Sequence, residues 1–333
     1  MRTLLDLAQK SKNLNGQSMW SSPFIKAGKE RLSVHILAMG DVGSTVLLAL
    51  KMLGGDVIRR IGICDLNEKQ LSRLEIEMNQ VAYPWDYDRL PEVEIVQQKD
   101  MFTCYVFVFC ATKGIAAVGE KVEDVRMAQY EANRGLISIY GQMARKVGFK
   151  GFFAVVSDPV DLLCQAAYKS SNVDAEGRFD GKGLCPNQIQ GYGLGVMNAR
   201  AAYYAKRDPR FVQFLTEGRV FGPHGRDLIV ADSINNYNED LSLELTDLTV
   251  TANLKVRELG YKPYIAPALS SAAISLLLTI RGEYHYSAVP LGDVWFGCKN
   301  RMKESEIELE ILELPDPLFE RIKRAYRNLG ELA

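Results

Sequence analysis

The sequence lacks any apolar run long enough to span a membrane. A membrane-spanning helix needs about 20 mostly apolar residues, and the longest candidate, Ile265 to Ile280, is interrupted by Pro267 and by serines. The first residues are polar and of mixed charge, without the long apolar segment of a secretion signal. These absences predict a cytoplasmic protein with no membrane partner.

An excess of charge of either sign is also missing. Forty lysines and arginines face 41 aspartates and glutamates, so the formal net charge is −1. Surfaces that bind nucleic acid or anionic membranes are normally basic. We therefore expect neither as a partner, and a small-molecule partner instead.

Paired cysteines are absent as well. The six cysteines are scattered, and none forms a C-x-x-C motif. Several lie in apolar runs, so we expect buried free thiols and neither disulfides nor a metal site. They are Cys64, Cys104, Cys110, Cys164, Cys185 and Cys298.

The stretch from Leu32 to Asp65 contains an apolar strand, a glycine turn, a helix and a second apolar strand that ends in an acid. Gly40 and Gly43 would let the backbone approach a pyrophosphate at a helix N-terminus, where amide groups attract anions. Asp65 lies 22 residues after Gly43, near the spacing at which an acid binds a ribose diol. An ordinary strand–turn–helix is the alternative, because Ala38 replaces the first glycine of the G-x-G-x-x-G pattern.

This stretch predicts NAD as the cofactor, since a carboxylate at Asp65 would repel the 2′-phosphate of NADP. Further strands end near residues 111 and 157, and ligands of parallel sheets bind at such carboxyl ends. The predicted cofactor-binding residues are Gly40, Asp41, Val42, Gly43, Asp65, Ala111, Thr112 and Ser157.

Alternating strands and helices predict an α/β protein with a Rossmann-type, doubly wound parallel sheet over residues 31–185. From Pro186 the glycines cluster, and helices and strands then mix, which predicts an α+β substrate domain over residues 186–333. Residues 1–30 would be an N-terminal extension. A mobile tail and an arm packed on another subunit are both open for it.

Several motifs resemble, in order and spacing, the L-lactate and L-malate dehydrogenase family. Pro186 to Arg200 fits the family pattern N-x-V-I-G-x-G-x-x-L-D-x-x-R without a gap. Val155 to Asp161 is similar to V-x-S-N-P-V-D, Gly222 to Gly225 to G-E-H-G, and Arg126 to Asn133 to R-x-x-L-x-x-x-N. With the glycine turn, the resemblance covers the chain from residue 32 to the C-terminus. It implies the family fold, NAD, and hydride transfer to or from a 2-hydroxy or 2-oxo acid.

The resemblance also implies residue roles. His224 would exchange a proton with the substrate oxygen, and Arg200 would hold the substrate carboxylate in a two-pronged hydrogen bond. Arg126 would close with a loop and polarise the carbonyl. That loop is longer here than in the family, so Lys113 and Lys121 are alternatives for this role.

Two residues differ from the family pattern at the proton-transfer centre. Met197 replaces the aspartate that supports the imidazole, and Asp158 replaces a strand-end asparagine that can donate to the substrate. The simple interpretation is that Met197 packs in the core and Asp158 caps a strand. We favour relocation of the supporting acid to Asp158, because a nearby carboxylate stabilises a charged imidazole.

Three functions therefore remain open. We favour an NAD-dependent 2-hydroxy acid dehydrogenase with an altered proton relay. The alternatives are a catalytically silent NAD-binding homologue and a dehydrogenase that acts on an imino or amino acid. For an imino or amino acid, a carboxylate of the protein would face a protonated nitrogen of the substrate, which is a favourable contact.

A homo-oligomer, either a dimer or a tetramer, is expected because the family assembles through helices of both domains. The predicted helix Glu68 to Gln80 offers Leu71, Leu74 and Met78 as an apolar stripe for this contact. The competing interpretation is that the stripe faces the chain's own sheet.

Overall fold

The structure is a computed structural model that describes residues 2–8, 21, 30–113, 125–225 and 227–332, with backbone only at residues 125 and 126. The helices are α1 (Leu5–Ala8), α2 (Asp41–Leu53), α3 (Glu68–Asn79), α4 (Val125–Lys146), α5 (Val160–Ser171), α6 (Gly195–Ala205), α7 (Phe214–Glu217), α8 (Glu239–Glu258), α9 (Ser275–Arg281) and α10 (Asp316–Leu332). The strands are β1 (Leu32–Leu37), β2 (Ile58–Cys64), β3 (Glu92–Ile95), β4 (Val106–Phe109), β5 (Phe152–Val155), β6 (Ile189–Gly191), β7 (Arg219–Phe221), β8 (Ile229–Ala231), β9 (His285–Leu291), β10 (Val294–Lys303) and β11 (Glu306–Leu309). A π-helical segment, Pro267–Ile274, leads directly into α9.

A nine-stranded sheet forms the centre of the fold, in the order β11-β10-β9-β6-β5-β4-β1-β2-β3. The strands β1 to β6 are parallel, and β9 to β11 extend the sheet antiparallel from β6. The order β3-β2-β1-β4-β5-β6 is that of a dinucleotide-binding sheet. The predicted Rossmann-type sheet is confirmed, whereas the domain boundary at residue 185 stays a prediction.

Side chains of the central strands pack into two cores, one on each face of the sheet. Val106 and Val108 of β4 pack on the side of α2 and α9. Phe107 and Phe109 pack on the side of α4, α5 and α10. Because both faces are covered, these strands are continuous apolar runs in the sequence.

A third cluster of buried residues lies among α6, α7, α8 and the β7–β8 hairpin. The hairpin strands are antiparallel, with Val220 opposite Val230. The predicted catalytic histidine, His224, lies in the connection between these two strands.

The apolar stripe of α3 faces the chain's own sheet. Leu71 and Leu74 are only 5% and 3% exposed, and Met78 packs against the same core. The expectation that this stripe forms a subunit contact is therefore wrong, because the chain's own core beside β3 already covers it. The homo-oligomer stays a prediction without this support.

The first described residues pack on the C-terminal part of the same chain. Leu4 is buried, and the carbonyl oxygen of Arg2 accepts a 2.9 Å hydrogen bond from the N–H of Leu314. The Arg2 guanidinium lies 2.9 Å from Glu320 of α10. Residues 2–8 thus pack on the C-terminal part of their own chain. The two alternatives for residues 1–30 as a whole stay predictions.

All six cysteines are free thiols, as predicted, and all except Cys185 are buried. Burial raises the pKa of Cys110 and of Cys298 to about 12, so these thiols stay protonated at neutral pH. Within the part of the chain that the structure describes, no helix is long and apolar enough to cross a membrane.

Candidate functional site

The turn between β1 and α2 presents backbone amides at the start of a helix. The first bond of α2 runs from the N–H of Ser44 to the carbonyl of Gly40, at 2.9 Å. The amides of residues 41–43 therefore have no partner within the helix and favour an anion at this end. Ala38 has a φ of 73°, a left-handed conformation that costs a non-glycine residue about 1–2 kcal/mol. The turn keeps the backbone of a glycine turn although its first position is alanine.

The two predicted glycines of this turn serve different purposes. A Cβ at Gly43 would lie 1.9 Å from the carbonyl oxygen of Ala38, so only glycine lets α2 pack against β1. A Cβ at Gly40 would meet no atom within 4 Å, and its φ of −70° suits any residue. The fold itself does not require glycine at position 40. The open space there fits a bound group that approaches the backbone closely, as a pyrophosphate does.

Replacing Gly43 by alanine should destabilise the fold by about 3 kcal/mol, because the new methyl group overlaps a backbone oxygen. Gly40→Ala is the matched control and should cost at most about 1 kcal/mol, the effect of alanine at an N-cap. Urea denaturation measures both values. Equal destabilisation by the two substitutions would contradict the separate roles.

Asp65 directly follows β2 and faces the same turn. Its Oδ2 accepts a 2.6 Å hydrogen bond from the N–H of Met39, and its Oδ1 accepts a 2.8 Å bond from the N–H of Asn67. Each carboxylate oxygen has two lone pairs, so both can still accept hydroxyl donors. An open pocket is lined by residues 65–69. The carboxylate is thus fixed beside the turn, with capacity left for a ribose.

The ends of β4 and β5 meet beside the turn. The buried Ser157 hydroxyl donates a 2.7 Å hydrogen bond to the carbonyl of Ala111. Thr112 follows Ala111 at the carboxyl end of β4. Val42, at the start of α2, is partly buried and packs against the core on that side of the sheet. The predicted cofactor-binding residues therefore lie along one edge of the sheet.

Asn133 connects these strand ends. In the sequence it appeared only as the last residue of the motif Arg126 to Asn133. It is fully buried in α4, and its Oδ1 accepts hydrogen bonds from the Thr112 hydroxyl at 3.2 Å and the Lys113 N–H at 2.9 Å. Its Nδ2 donates a 2.9 Å bond to the carbonyl oxygen of Asp158. A lone amide among the apolar positions of α4 was the signal that could have marked it as a site-organising residue.

The predicted loop cation cannot be placed with the other site residues. Arg126 stands in the first turn of α4, where its side chain is not described, and Lys121 lies outside the described residues. Lys113 begins the loop at the end of β4. The role assigned to Arg126 stays a prediction.

The three histidines of the chain differ in environment. His35 and His285 are each only 3% exposed, and burial lowers both pKa values, that of His285 to about 4. Their ring nitrogens bond to the carbonyls of Met101 and Glu283, which is a structural role. His224 is partly exposed, so it is the histidine that can reach a ligand.

His224 and Asp158 lie side by side. Their Nδ1 and Oδ1 atoms are 3.3 Å apart, and the side chains are 23% and 44% exposed. A Cβ at Gly193 would lie 3.1 Å from the His224 Cβ, so a glycine at this position leaves room for the histidine. With Nδ1 directed at Asp158, Nε2 is the nitrogen that remains for a substrate.

Arg200 lies on α6 beside Met197. The Met197 side chain is buried, and its Sδ is 3.7 Å from Nη1 of Arg200. Burial lowers the pKa of Arg200, while Tyr204 and Asp158 act in the opposite direction. Among the described residues no carboxylate forms an ion pair with this guanidinium. A partly buried guanidinium of this kind is suited to a two-pronged bond with a ligand carboxylate.

The π-helical segment holds the start of α6 in place. The Ser271 hydroxyl donates a 2.7 Å bond to the carbonyl of Gly193 and accepts a 2.8 Å bond from the N–H of Val196. A Cβ at Gly195 would lie 2.5 Å from the carbonyl oxygen of Ser270. This segment therefore positions the helix that carries Arg200. Such π geometry is frequent at functional sites.

No group of three or more potential metal ligands occurs among the residues that the structure describes. The chemistry of the site is instead that of one carboxylate, one imidazole and one guanidinium beside a helix N-terminus. This set can bind an anion and move a proton.

Comparison with known proteins finds relatives of one kind. The chain is 26% identical over 194 residues to the L-lactate dehydrogenase of Halalkalibacterium halodurans, which is 58% of this chain and 56% of the relative. It is 24% identical over 260 residues to that of Staphylococcus haemolyticus, 74% of each chain. In most such matches the chain spans little more than half of the relative's length. No family model matches the chain.

Solved structures agree on the fold. The minor L-lactate dehydrogenase from Enterococcus mundtii in its ligands-bound form gives a TM-score of 0.72 at 16% identity, over 91% of this chain and 97% of that one. The malate dehydrogenase from Archaeoglobus fulgidus in complex with NADH gives 0.71 at 16% identity, over 90% and 97%. At such identity the likeness shows the fold, and it agrees with the resemblance read from the motifs.

Proposed function

We infer that this chain, a divergent relative of the L-lactate and L-malate dehydrogenases, is an oxidoreductase that transfers a hydride between NAD(H) and a small 2-hydroxy or 2-oxo carboxylic acid. The observation that carries the proposal is the juxtaposition of His224 with Asp158, 3.3 Å apart, close to an arginine free to bind an anion. A proton shuttle and a carboxylate anchor are what this chemistry requires of a protein.

The residues along the sheet edge fit a dinucleotide. The open space at Gly40 and the free amides of α2 would hold its diphosphate, and Asp65 would accept from the adenosine ribose. The strand ends at Ala111 and Ser157 would border the nicotinamide half. Bound NAD(H) would supply or accept the hydride. One of the structural relatives is described in complex with NADH.

Arg200 would orient the substrate. Its guanidinium can hold both oxygens of a carboxylate, which fixes the neighbouring carbon 2 relative to the cofactor. Burial increases the strength of this charged interaction. The contact with Met197 places a thioether beside Arg200, so no protein carboxylate at that position competes with the substrate.

His224 would exchange the proton and Asp158 would support it. In reduction, Nε2 of a protonated imidazole donates to the substrate oxygen. The Asp158 carboxylate beside Nδ1 stabilises the charged imidazole and holds the ring in orientation. The supporting acid thus comes from the end of β5, while the family's position for it, at Met197, is apolar.

A second candidate substrate follows from the same carboxylate. Ionised Asp158 can accept hydrogen bonds but cannot donate them, and its side chain is 44% exposed. An imino or amino acid would place a protonated nitrogen where a keto acid places an oxygen. Such a nitrogen would interact favourably with Asp158.

Cofactor choice tests the proposal. We expect NADH to bind at least about tenfold more tightly than NADPH, because Asp65 repels a 2′-phosphate at short range. Asp65→Ala should remove most of this preference, whereas Glu68→Ala, an acid of the same pocket, should keep it. Fluorescence titration measures both affinities. NADPH affinity equal to that of NADH in the unmodified protein would contradict the role of Asp65.

A further inference from the structure

The first residue of α2 is an acid, Asp41, directly after Gly40. A carboxylate at a helix N-terminus stabilises the helix dipole. At this helix, however, the same carboxylate stands where the proposed diphosphate would approach. Two negative groups within a few ångströms repel each other, so a diphosphate site that contains this acid needs a compensating cation.

Lys262 provides a cation at this position. Its Nζ lies 3.1 Å from Oδ2 of Asp41, although the two residues are 221 positions apart in the sequence. Lys262 belongs to the connection between α8 and the π-helical segment Pro267–Ile274. The ion pair therefore links the glycine turn to the part of the chain that positions α6 and its anion-binding arginine.

The pair contributes little to stability. The Lys262 and Asp41 side chains are 82% and 48% exposed, and exposed ion pairs are worth at most about 1 kcal/mol. The ion pair therefore stabilises the fold only weakly. Because it lies at the mouth of the proposed cofactor site, its two charges instead affect the binding of a charged ligand.

We propose that Lys262 is a cofactor-binding residue whose ammonium neutralises Asp41 and contacts the diphosphate when NAD(H) binds. This inference rests on the proposed function. A lysine side chain is flexible and carries three donors, so the ammonium can reach a diphosphate oxygen at the helix end without a movement of the backbone. The bound diphosphate would then be in contact with the connection after α8, next to the segment that holds the substrate arginine.

The proposal predicts a particular pattern of NADH affinities in a set of four variants. Lys262→Met leaves Asp41 uncompensated and should weaken NADH binding by about tenfold at low salt. Asp41→Asn leaves Lys262 for the diphosphate alone and should tighten it by about threefold. The double variant, which lacks both charges, should lie near the unmodified protein. Lys255→Met, at an exposed lysine of α8, is the matched control and should change nothing.

NADH titration by fluorescence, with the thermal unfolding temperature of each variant, tests this pattern. The differences should shrink in 1 M salt, because the Debye length falls to about 3 Å. ADP-ribose, which keeps the diphosphate, should follow the same pattern as a competitor of NADH, while adenosine should compete equally in all variants. Unfolding temperatures should be alike throughout.

Three outcomes overturn the inference and can be told apart. If the unmodified protein binds NADH but the four proteins of the set have the same affinity, Lys262 has no role in the site and the proposed function stands. If adenosine follows the pattern as ADP-ribose does, the effect is not on the diphosphate and the assignment is wrong. If the unmodified protein binds no NADH, the proposed function fails together with the inference.

Discussion

Replacing Arg200 by glutamine should weaken the binding of a carboxylate ligand such as oxamate by about 2–5 kcal/mol, the usual cost of truncating a buried charged hydrogen-bond partner. The guanidinium is partly buried and has Met197 Sδ as its described side-chain contact, so a ligand carboxylate would be its main ionic partner. NADH affinity should not change. Calorimetric titration of oxamate into the NADH complex gives the number.

Arg207→Gln is the matched control for this substitution. Arg207 follows α6, and it donates to the carbonyl of Tyr203 and stacks on that ring, away from the site. The Arg207→Gln variant should bind oxamate as the unmodified protein does. Unchanged oxamate affinity in Arg200→Gln would remove Arg200 from the site and the substrate anchor from the proposal.

Asp158→Asn should lower the rate of 2-oxo acid reduction by about tenfold to 100-fold. The carboxylate lies 3.3 Å from Nδ1 of His224, where it holds the ring in orientation for proton transfer. The amide cannot supply this charge, so the rate should fall while NADH affinity stays the same. Single-turnover reduction followed by NADH absorbance measures the rate.

Adding Met197→Asp to Asp158→Asn supplies a carboxylate at the family's position for the supporting acid. The double variant should recover most of the lost rate, because a carboxylate again supports the imidazole. Asp227→Asn, three residues from His224 and bonded to Asn328, is the control and should keep the rate of the unmodified protein. A fully active Asp158→Asn would contradict the relocated acid. Activity that first appears in the double variant would indicate a silent protein instead.

The central sheet was predictable because its strands are covered on both faces. Short continuous apolar runs such as Val34 to Ala38 and Tyr105 to Cys110 predict buried strands of a parallel sheet when helices alternate with them. The stripe of α3 was misassigned for a related reason. An apolar helix face shows that something covers it but does not show whether the cover is the chain's own sheet or another subunit.

The candidate site was predictable only where a motif carried it. His224, Asp158 and Arg200 come from separate motifs, and the 3.3 Å contact between the first two agrees with the expected proximity. Their catalytic roles stay predictions. Asn133 and Ser271 were missed as organising residues because their importance lies in hydrogen bonds across the fold. The only local signal for Asn133 is an amide among apolar helix positions, and Ser271 has no such signal.

The contact of Lys262 with Asp41 illustrates the same limit. A surface lysine in a loop has no distinctive pattern, and only the packing of the π-helical segment beside α2 brings the two charges together. At Ala38, in contrast, the sequence pattern is lost but the local structure is kept. The sequence departs from the glycine pattern there, yet the backbone adopts the left-handed conformation of the pattern, because the surrounding strand and helix determine it.

The most direct test of the proposed reaction follows a deuterium atom. NADH that carries deuterium at both positions of nicotinamide carbon 4 would be mixed with excess protein and a panel of 2-oxo acids, with and without ammonium, and the products analysed by mass spectrometry. The proposed function predicts a 2-hydroxy acid with one deuterium at carbon 2, formed by the unmodified protein and lost in Arg200→Gln. Deuterium found only in an amino acid formed with ammonium would identify the imino-acid alternative. Absence of deuterium from every product, in a protein shown to bind NADH, would contradict hydride transfer.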